Sequence, residues 1–228
     1  MTACFSMAID GPSGAGKSTI AQAVAQKTGA LYLDTGAMYR AVGLWMLRHN
    51  VNLRDTAAIA RMVNQPVIDV RYVDGVQRLY LDGVDVSEAI RAPEVSMAAS
   101  AVSAVPQVRA RLVAMQQGIA RGRSVVMDGR DIGTKVLPNA TLKIYLIADL
   151  SERARRRTLE LGEKGVPCDE QAVRMDMQKR DHDDATRAAS PLCKAEDAIQ
   201  LDSSHLTLAE TVERVLELLA QRLEEGGI

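Results

Sequence analysis

The sequence is poor in aromatic residues: phenylalanine, tryptophan and tyrosine together make up 3% of its 228 residues. A core with so few rings must be aliphatic, and the stacking platforms that usually hold single-stranded nucleic acid are missing. An excess of charge of one sign is also lacking. The 28 lysines and arginines nearly balance the 29 aspartates and glutamates, for a formal net charge of −1. That argues against a broad basic footprint for nucleic acid or an anionic membrane, so anion recognition has to be local. Cysteines are few and odd in number (Cys4, Cys168 and Cys193) with no CxxC pair. This speaks against a disulfide framework or a zinc site and fits a reducing compartment. No apolar run approaches the ~20 residues of a membrane span. The stretch "MTACFSMAID" has neither a basic n-region nor a long apolar core, so no signal peptide and a cytoplasmic location are expected. What remains is an ordinary core-forming composition, 47% hydrophobic and 25% charged, at a length suited to one α/β domain with a small insertion.

"FSMAID" is a short apolar run that ends at Asp10 and passes directly into "GPSGAGKSTIAQAVAQKTG", glycine-rich first and then helical, with Gly29 as C-cap. "LYLD" reads as a second strand, "TGAMYRAVGLWMLRHN" as a helix, and residues 55–64 as another, stopped by Pro66. The pattern then changes. "VIDVRYVDGVQRLYLDGVDVS" alternates apolar and polar residues around Asp-Gly pairs at 74–75 and 82–83, which predicts a three-stranded antiparallel meander inserted into a βα series. Two helices that open on proline follow, "PEVSMAASAVSAV" and "PQVRARLVAMQQGIA". The strands "SVVMD", "LKIYLIA" and "AIQLD" alternate with helices at 151–165, about 169–189, and 208–225. Strands separated by helices predict a parallel sheet covered on both faces.

Residues 11–18, "GPSGAGKS", satisfy GxxxxGK[ST] in full and lie between a strand and a helix. Glycines at these positions let backbone N–H groups turn inward around phosphate oxygens, and the positive end of the following helix favours the anion. Gly11, Pro12, Ser13, Gly14, Ala15, Gly16, Lys17, Ser18 and Thr19 are therefore the expected ATP-binding residues, with Lys17 on the outer phosphates and Ser18 on Mg²⁺. The motif by itself leaves a small-molecule kinase, a GTPase switch and an ATP-driven module open. No Asn-Lys-x-Asp stretch for guanine occurs. A second substrate pocket has to discriminate among the rest.

A kinase for a phosphorylated acceptor must neutralise two anions held close together, which calls for arginines from several segments rather than a strong base. In "RDHDDATR", Arg180, Asp184 and Arg187 fall at i, i+4 and i+7, one face of a helix. "SERARRR" offers Arg153, Arg156 and Arg157 to a lid over ATP. "DTGAMYR" places Thr35, Tyr39 and Arg40 at a strand-to-helix junction, the side of an open α/β sheet where ligands bind. In "SVVMDGRDIGT", Asp128 is expected near the phosphate loop, ordering Mg²⁺-bound water; Arg130 suits a substrate phosphate and Asp131 a base or sugar. His182 reads as a solvent-facing bystander. For each of these groups, a salt-bridged surface remains an open alternative on spacing alone.

Taken together, "IDGPSGAGKST", "LDTGAMYRAV", "VSEAIR", "VSMAASAVSAVPQVRARL", "VMDGRDIGT", "KIYLIA", "ERARRR" and "KRDHDDATRAASPL" resemble the bacterial cytidylate kinase family of P-loop nucleoside monophosphate kinases. The resemblance runs in order from residue 8 to about 204. It implies transfer of the γ-phosphoryl of ATP to CMP or dCMP with Mg²⁺. It implies that Ser100, Arg109 and Asp131 read cytosine, that Arg40, Arg130 and Arg187 hold the acceptor phosphate or the migrating phosphoryl, and that Tyr39, Arg180 and Asp184 contact the sugar. Lys17, Arg130, Arg187, Arg153 and Arg157 form the expected catalytic set, with Thr35 standing where serine also occurs in the family. The implied fold is a P-loop NTPase-type three-layer α/β domain with a central parallel sheet. Its expected core is about 1–36, 105–150 and 185–228, with an antiparallel β insertion in the monophosphate-binding part (about 37–104) and a short helical lid (about 151–170). A monomer acting on small molecules, with neither nucleic acid nor membrane as partner, is expected. A kinase of another monophosphate such as UMP and a non-catalytic nucleotide-binding module are the alternatives.

Overall fold

The computed structural model describes residues 4–163 and 165–226. The chain runs β1 (Ser6–Asp10), α1 (Lys17–Thr28), β2 (Leu31–Asp34), α2 (Thr35–Arg48), α3 (Thr56–Met62), β3 (Ile68–Val73), β4 (Val76–Leu81) and β5 (Val84–Asp85). It continues through α4 (Pro93–Ser103), α5 (Pro106–Ala120), β6 (Val125–Gly129), β7 (Leu142–Ile147), α6 (Leu150–Glu163), α7 (Glu170–Thr186), β8 (Ile199–Asp202) and α8 (Leu208–Glu225). Two compact units result: residues up to Tyr32 together with those from Gly122 onward, and Leu33–Arg121.

The first unit is built on a five-stranded sheet of order β2-β6-β1-β7-β8. β1 runs parallel to both β6 and β7, and β8 parallel to β7. Every residue of β6 is buried, as are all but the first of β1, which is why these strands read as unbroken apolar runs. Ile20 and Val24 of α1 and Val215 and Leu219 of α8 pack with Met7, Ile9 and Leu146 in one aliphatic cluster. The register has a functional consequence. Asp10 lies opposite Gly129, so the glycine-rich loop and the "GRD" corner leave the same edge of the sheet from adjacent strands.

In the second unit α2 packs on α4 so closely that a Cβ on Gly43 would stand 2.9 Å from the backbone N of Ala99. The meander forms as the alternation predicts, in a three-stranded antiparallel sheet β3-β4-β5. Both Asp-Gly pairs have positive φ at each residue (52° and 76°, then 51° and 83°), which only the primed hairpin turns require. Asp82 in the second turn does more than reverse the chain. Its carboxylate accepts from Val67 N (2.8 Å) and from the indole Nε1 of Trp45 on α2 (3.0 Å). Asp82→Ala leaves that indole N–H without its partner in a nearly enclosed ring and is expected to lower the unfolding free energy by about 1–3 kcal/mol. Asp82→Asn, which keeps an acceptor, should lose less. Urea titration followed by the fluorescence of Trp45, the one tryptophan in the sequence, measures both.

Three features differ from the sequence expectation. The helix predicted over 169–189 stops at Thr186, and Arg187 is already extended (φ −60°, ψ 140°). Leu192 N reaches back to Asp184 O at 2.8 Å, which turns the chain off the helix axis. Arg187 is therefore a cap residue and not the third member of a helical face. A 3₁₀ turn at Ala89–Arg91 and a single π turn at Ile132–Val136 replace expected loop. The π turn has an identifiable cause: Asp10 takes up the N–H groups of its first two residues.

Candidate active site

The glycine-rich loop joins β1 to α1, and Lys17 is the first residue of the helix. Gly14 has φ +70°, a conformation that strains any other residue, and the flexible end of Met177 on α7 lies against it, Cε 2.3 Å from where a Cβ would stand. Lys17 is buried and its ammonium donates to Pro12 O at 2.6 Å. Burial first, and then the charge of Arg130, push it down to about 7, against the pull of Asp128, Asp10 and Asp184. A buried ammonium so destabilised is matched to an anionic ligand. Beside it Ser18 Oγ donates to Asp128 Oδ2 at 2.8 Å, and the Tyr32 hydroxyl donates to Asp128 Oδ1 at 2.8 Å. A hydroxyl paired with a carboxylate is the hard-oxygen chemistry that Mg²⁺ takes when nucleotide phosphates and waters supply its other ligands. Among the described residues no cluster of three or more His, Cys, Asp or Glu offers a metal a cage of its own.

The corner after β6 is held from two sides. Arg130 Nε donates to Asp184 Oδ2 of α7 at 2.7 Å. Burial pulls the guanidinium down, but the charge of Asp184 and this hydrogen bond outweigh it and leave Arg130 above the usual arginine value. From below, Asp10 Oδ1 accepts from Ile132 N (2.8 Å) and Oδ2 from Gly133 N (2.7 Å). Burial pushes Asp10 up to about 6 even so. Asp131 between them is buried, and its carbonyl accepts from Lys135 N at 2.8 Å. Arg187 joins the group through Asp184 Oδ1 (3.4 Å) and Ser190 O (2.7 Å). Arg180 is different: half-buried on α7, it makes no hydrogen bond or ion pair among the described residues. Burial lowers its pKa, and the charges of Arg157 and Arg130 add to the effect against the opposing pull of Asp176 and Asp184.

The lid arginines separate. Arg157 sits on the exposed flank of α6 and pairs with Glu160 at 2.7 Å. Arg153, expected over the ATP phosphates, turns inward instead and is 7% exposed. Its Nε donates to Ala148 O (2.9 Å), and Nη1 to Ser13 O (2.7 Å) and Asp181 Oδ2 (2.6 Å). His182 is exposed, as its sequence context suggests.

The remaining expected residues lie in the second unit. Thr35, Tyr39 and Arg40 occupy the first turns of α2, which Asp34 caps by accepting from Ala37 N at 2.9 Å. Asp34 also takes Arg40 Nη2 at 2.6 Å, while Arg40 Nε is buried without a hydrogen-bond partner. Arg109 of α5 lies over the Tyr39 ring at 5.4 Å and donates to Ser103 O at 3.1 Å. Ser103 Oγ in turn donates to Ser100 O at 2.8 Å, which links Ser100 to the same cluster.

Sequence reasoning passed over Asp10, Tyr32 and Asp181. A carboxylate closing an apolar run directly before a phosphate loop was the available signal for Asp10. Asp181 repeats at four- and three-residue spacing with Met177 and Asp184, a helical face that the arginines obscured. Tyr32 left no signal beyond its place in a strand.

The cytidylate kinase family model matches residues 7–221. The cytidylate kinase of Caldicellulosiruptor bescii is 53% identical over 214 residues, which cover 94% of this chain and 95% of that protein. That of Desulfitobacterium hafniense is 51% identical, covering 97% and 95%. Among solved structures, a gluconokinase from Sinorhizobium meliloti 1021 superposes with a TM-score of 0.53 at 15% identity over 98% of this chain and 97% of that one, a likeness of fold alone. With a phosphate loop, an arginine-rich corner and near full-length identity at this level, the chain belongs to the cytidylate kinase family and is a nucleoside monophosphate kinase.

Proposed function

We propose that the protein transfers the γ-phosphoryl group of ATP to CMP and dCMP, giving ADP with CDP or dCDP. The observation that carries this reading is Arg180, a half-buried guanidinium with no hydrogen bond or ion pair among the described residues, on the helix that also holds Arg130 through Asp184. A cation so placed calls for an anion from outside the protein, and beside a triphosphate loop that anion is the acceptor.

In the transfer, an oxygen of the acceptor phosphate attacks the γ-phosphorus in line, and the bond to the β–γ bridging oxygen breaks as ADP leaves. Charge spreads over the equatorial oxygens of the migrating group, and little covalent chemistry falls to the protein. Lys17 and the loop residues Gly11 to Thr19 hold the donor phosphates. Arg130 and Arg187, already oriented by the Asp184 carboxylate, neutralise the acceptor and the migrating phosphoryl, and Arg180 adds its charge to theirs. Ser18 and Asp128 would hold Mg²⁺, which when bound shields the β- and γ-phosphates and polarises the transferring group. Thr35, Tyr39 and Arg40 serve the acceptor phosphate and sugar, while Ser100, Arg109 and Asp131 serve cytosine. Asp184 additionally suits the ribose hydroxyls. Cytosine offers both a donor and acceptors, and Arg109 with Asp131 supplies the matching acceptor and donors. Arg157, held to Glu160 through Nη1, keeps further N–H donors for a phosphate, and Arg153 acts through the loop it grips.

The test is ADP formation from MgATP with CMP, dCMP, UMP, AMP and dTMP offered separately. Turnover is expected with CMP and dCMP. Arg180→Ala should raise the acceptor KM at least about 10-fold, the loss of one charged hydrogen-bonding partner. Asp131→Ala should cut the preference for CMP over UMP by about 10-fold or more, because unpaired buried polar groups discriminate strongly. Turnover with another monophosphate alone would reassign the base, and ATP binding without any turnover would favour a regulatory module.

A further inference from the structure

One face of α7 touches both halves of the chemistry. Met177, Asp181 and Asp184 recur at four- and three-residue spacing, so they line one side of the helix. Met177 Cε closes over Gly14 of the phosphate loop. One turn on, Asp181 grips the same loop: Oδ1 accepts from Ser13 N at 2.9 Å, while Oδ2 accepts from Arg153 Nη1 at 2.6 Å. Arg153 Nη1 also donates to Ser13 O at 2.7 Å. Both backbone polar groups of Ser13 are thus held by side chains, one from α6 and one from α7. Three residues after Asp181, Asp184 holds Arg130 Nε at 2.7 Å and Arg187 Nη1 at 3.4 Å.

We propose that Asp181, with Arg153, is a positioning residue that couples the ATP loop to the acceptor arginines through α7, so that ATP and CMP each strengthen the binding of the other. The proposal rests on the CMP-kinase reading above. A helix is stiff along its axis, and the distance from Asp181 to Asp184 is less than one turn. Seating a triphosphate in the loop orders Ser13, Ser13 orders Asp181, and the same turn of α7 carries the carboxylate that aims Arg130. The partnership is charged on every link: a buried guanidinium and a carboxylate clasp the backbone of one residue from both sides, in an environment where such hydrogen bonds are strong. Coupling of this kind is reciprocal by thermodynamic necessity.

The experiment measures binding rather than rate. Calorimetry gives the Kd of CMP with and without a saturating, Mg²⁺-loaded ATP analogue whose β–γ bridge cannot be hydrolysed, and the Kd of that analogue with and without CMP. The wild-type protein should show the same factor in both directions, between about 5- and 150-fold. In Asp181→Ala the factor should fall below about 2-fold, while CMP binding alone changes by less than about 2-fold because the Arg130–Asp184 pair is untouched. Arg153→Lys, which keeps the charge but loses the planar fork, should give an intermediate factor and guards against a misfolded alanine variant. An undiminished factor in both variants overturns the proposal. So does a loss of both separate affinities with the factor intact, which is what a merely structural role would give. Wild-type protein that phosphorylates CMP with a factor of one overturns the coupling and leaves the reaction standing. Wild-type protein that neither binds nor phosphorylates CMP overturns the reading on which it rests.

Discussion

Replacing Arg130 by alanine is expected to lower kcat about 10³-fold, the range seen when a preorganised arginine is taken from a phosphoryl-transfer site. The magnitude follows from how firmly this guanidinium is set. It sits half-buried just after β6, tied to Asp184 at 2.7 Å, and its corner is pinned to the sheet by the two N–H groups that Asp10 accepts. No reorganisation is needed when charge develops on the migrating group. Arg130→Lys should recover only part of the loss, because an ammonium cannot serve Asp184 and a phosphate with a planar fork. The same variant carries a second signature. Arg130 is the largest charge holding Lys17 down, so in Arg130→Ala the lysine keeps its proton to higher pH. Steady-state kinetics with CMP and the pH dependence of ATP binding measure the two effects separately, and a fall in kcat of less than about 10-fold would remove Arg130 from its assigned role.

The second large effect belongs to Lys17. Its pKa is pushed from 10.5 down to about 7 in the ligand-free protein, so at pH 8 most molecules carry it neutral. A triphosphate seated on the loop favours the charged form and raises the pKa again. Binding of MgATP should therefore take up close to one proton at pH 8, about half at pH 7, and little at pH 6. Calorimetry in buffers of different ionisation enthalpy reads this number directly. The stability of the ligand-free protein follows with a defined sign. Between pH 7 and 10.5 the unfolded chain binds a proton that the native state does not, so stability rises with pH across that window. Lys17→Met should abolish the proton uptake, lower kcat about 10²- to 10³-fold, and stabilise the ligand-free protein at neutral pH by removing a buried charge. A proton uptake near zero at pH 8 in the wild type would mean that Lys17 is already charged without ATP.

Much of this was legible in the sequence because the chemistry is local there. A phosphate loop works through consecutive backbone N–H groups, so its residues must be contiguous, and "GPSGAGKS" states the donor site outright. The meander is equally local: alternation and two Asp-Gly pairs define strands and primed turns without reference to the rest of the chain. Unbroken apolar runs at β1 and β6 announced strands buried on both faces. Even the opposition of Ser18 and Asp128 follows once two parallel strands are known to be neighbours.

Other features could not be read this way, since they depend on which distant segments meet. The arginine at 153 carries the same charge whether it faces ATP or the loop backbone; only the approach of α6 and α7 to Ser13 decides it, and Asp181 reaches that residue across a separation of 168 positions. The π turn after Asp131 exists because a buried carboxylate on another strand captures two of its N–H groups. Arg187 leaves the helix because Leu192 N turns back to Asp184 O. The donor loop and the supply of arginines are written in contiguous residues, and the resemblance of the motifs around them carried the reaction class. Which of those arginines are bonded within the protein, Arg153 to the loop and Arg130 and Arg187 to Asp184, depends on the packing of distant segments, because a guanidinium's partners are those that packing brings within about 3 Å of it.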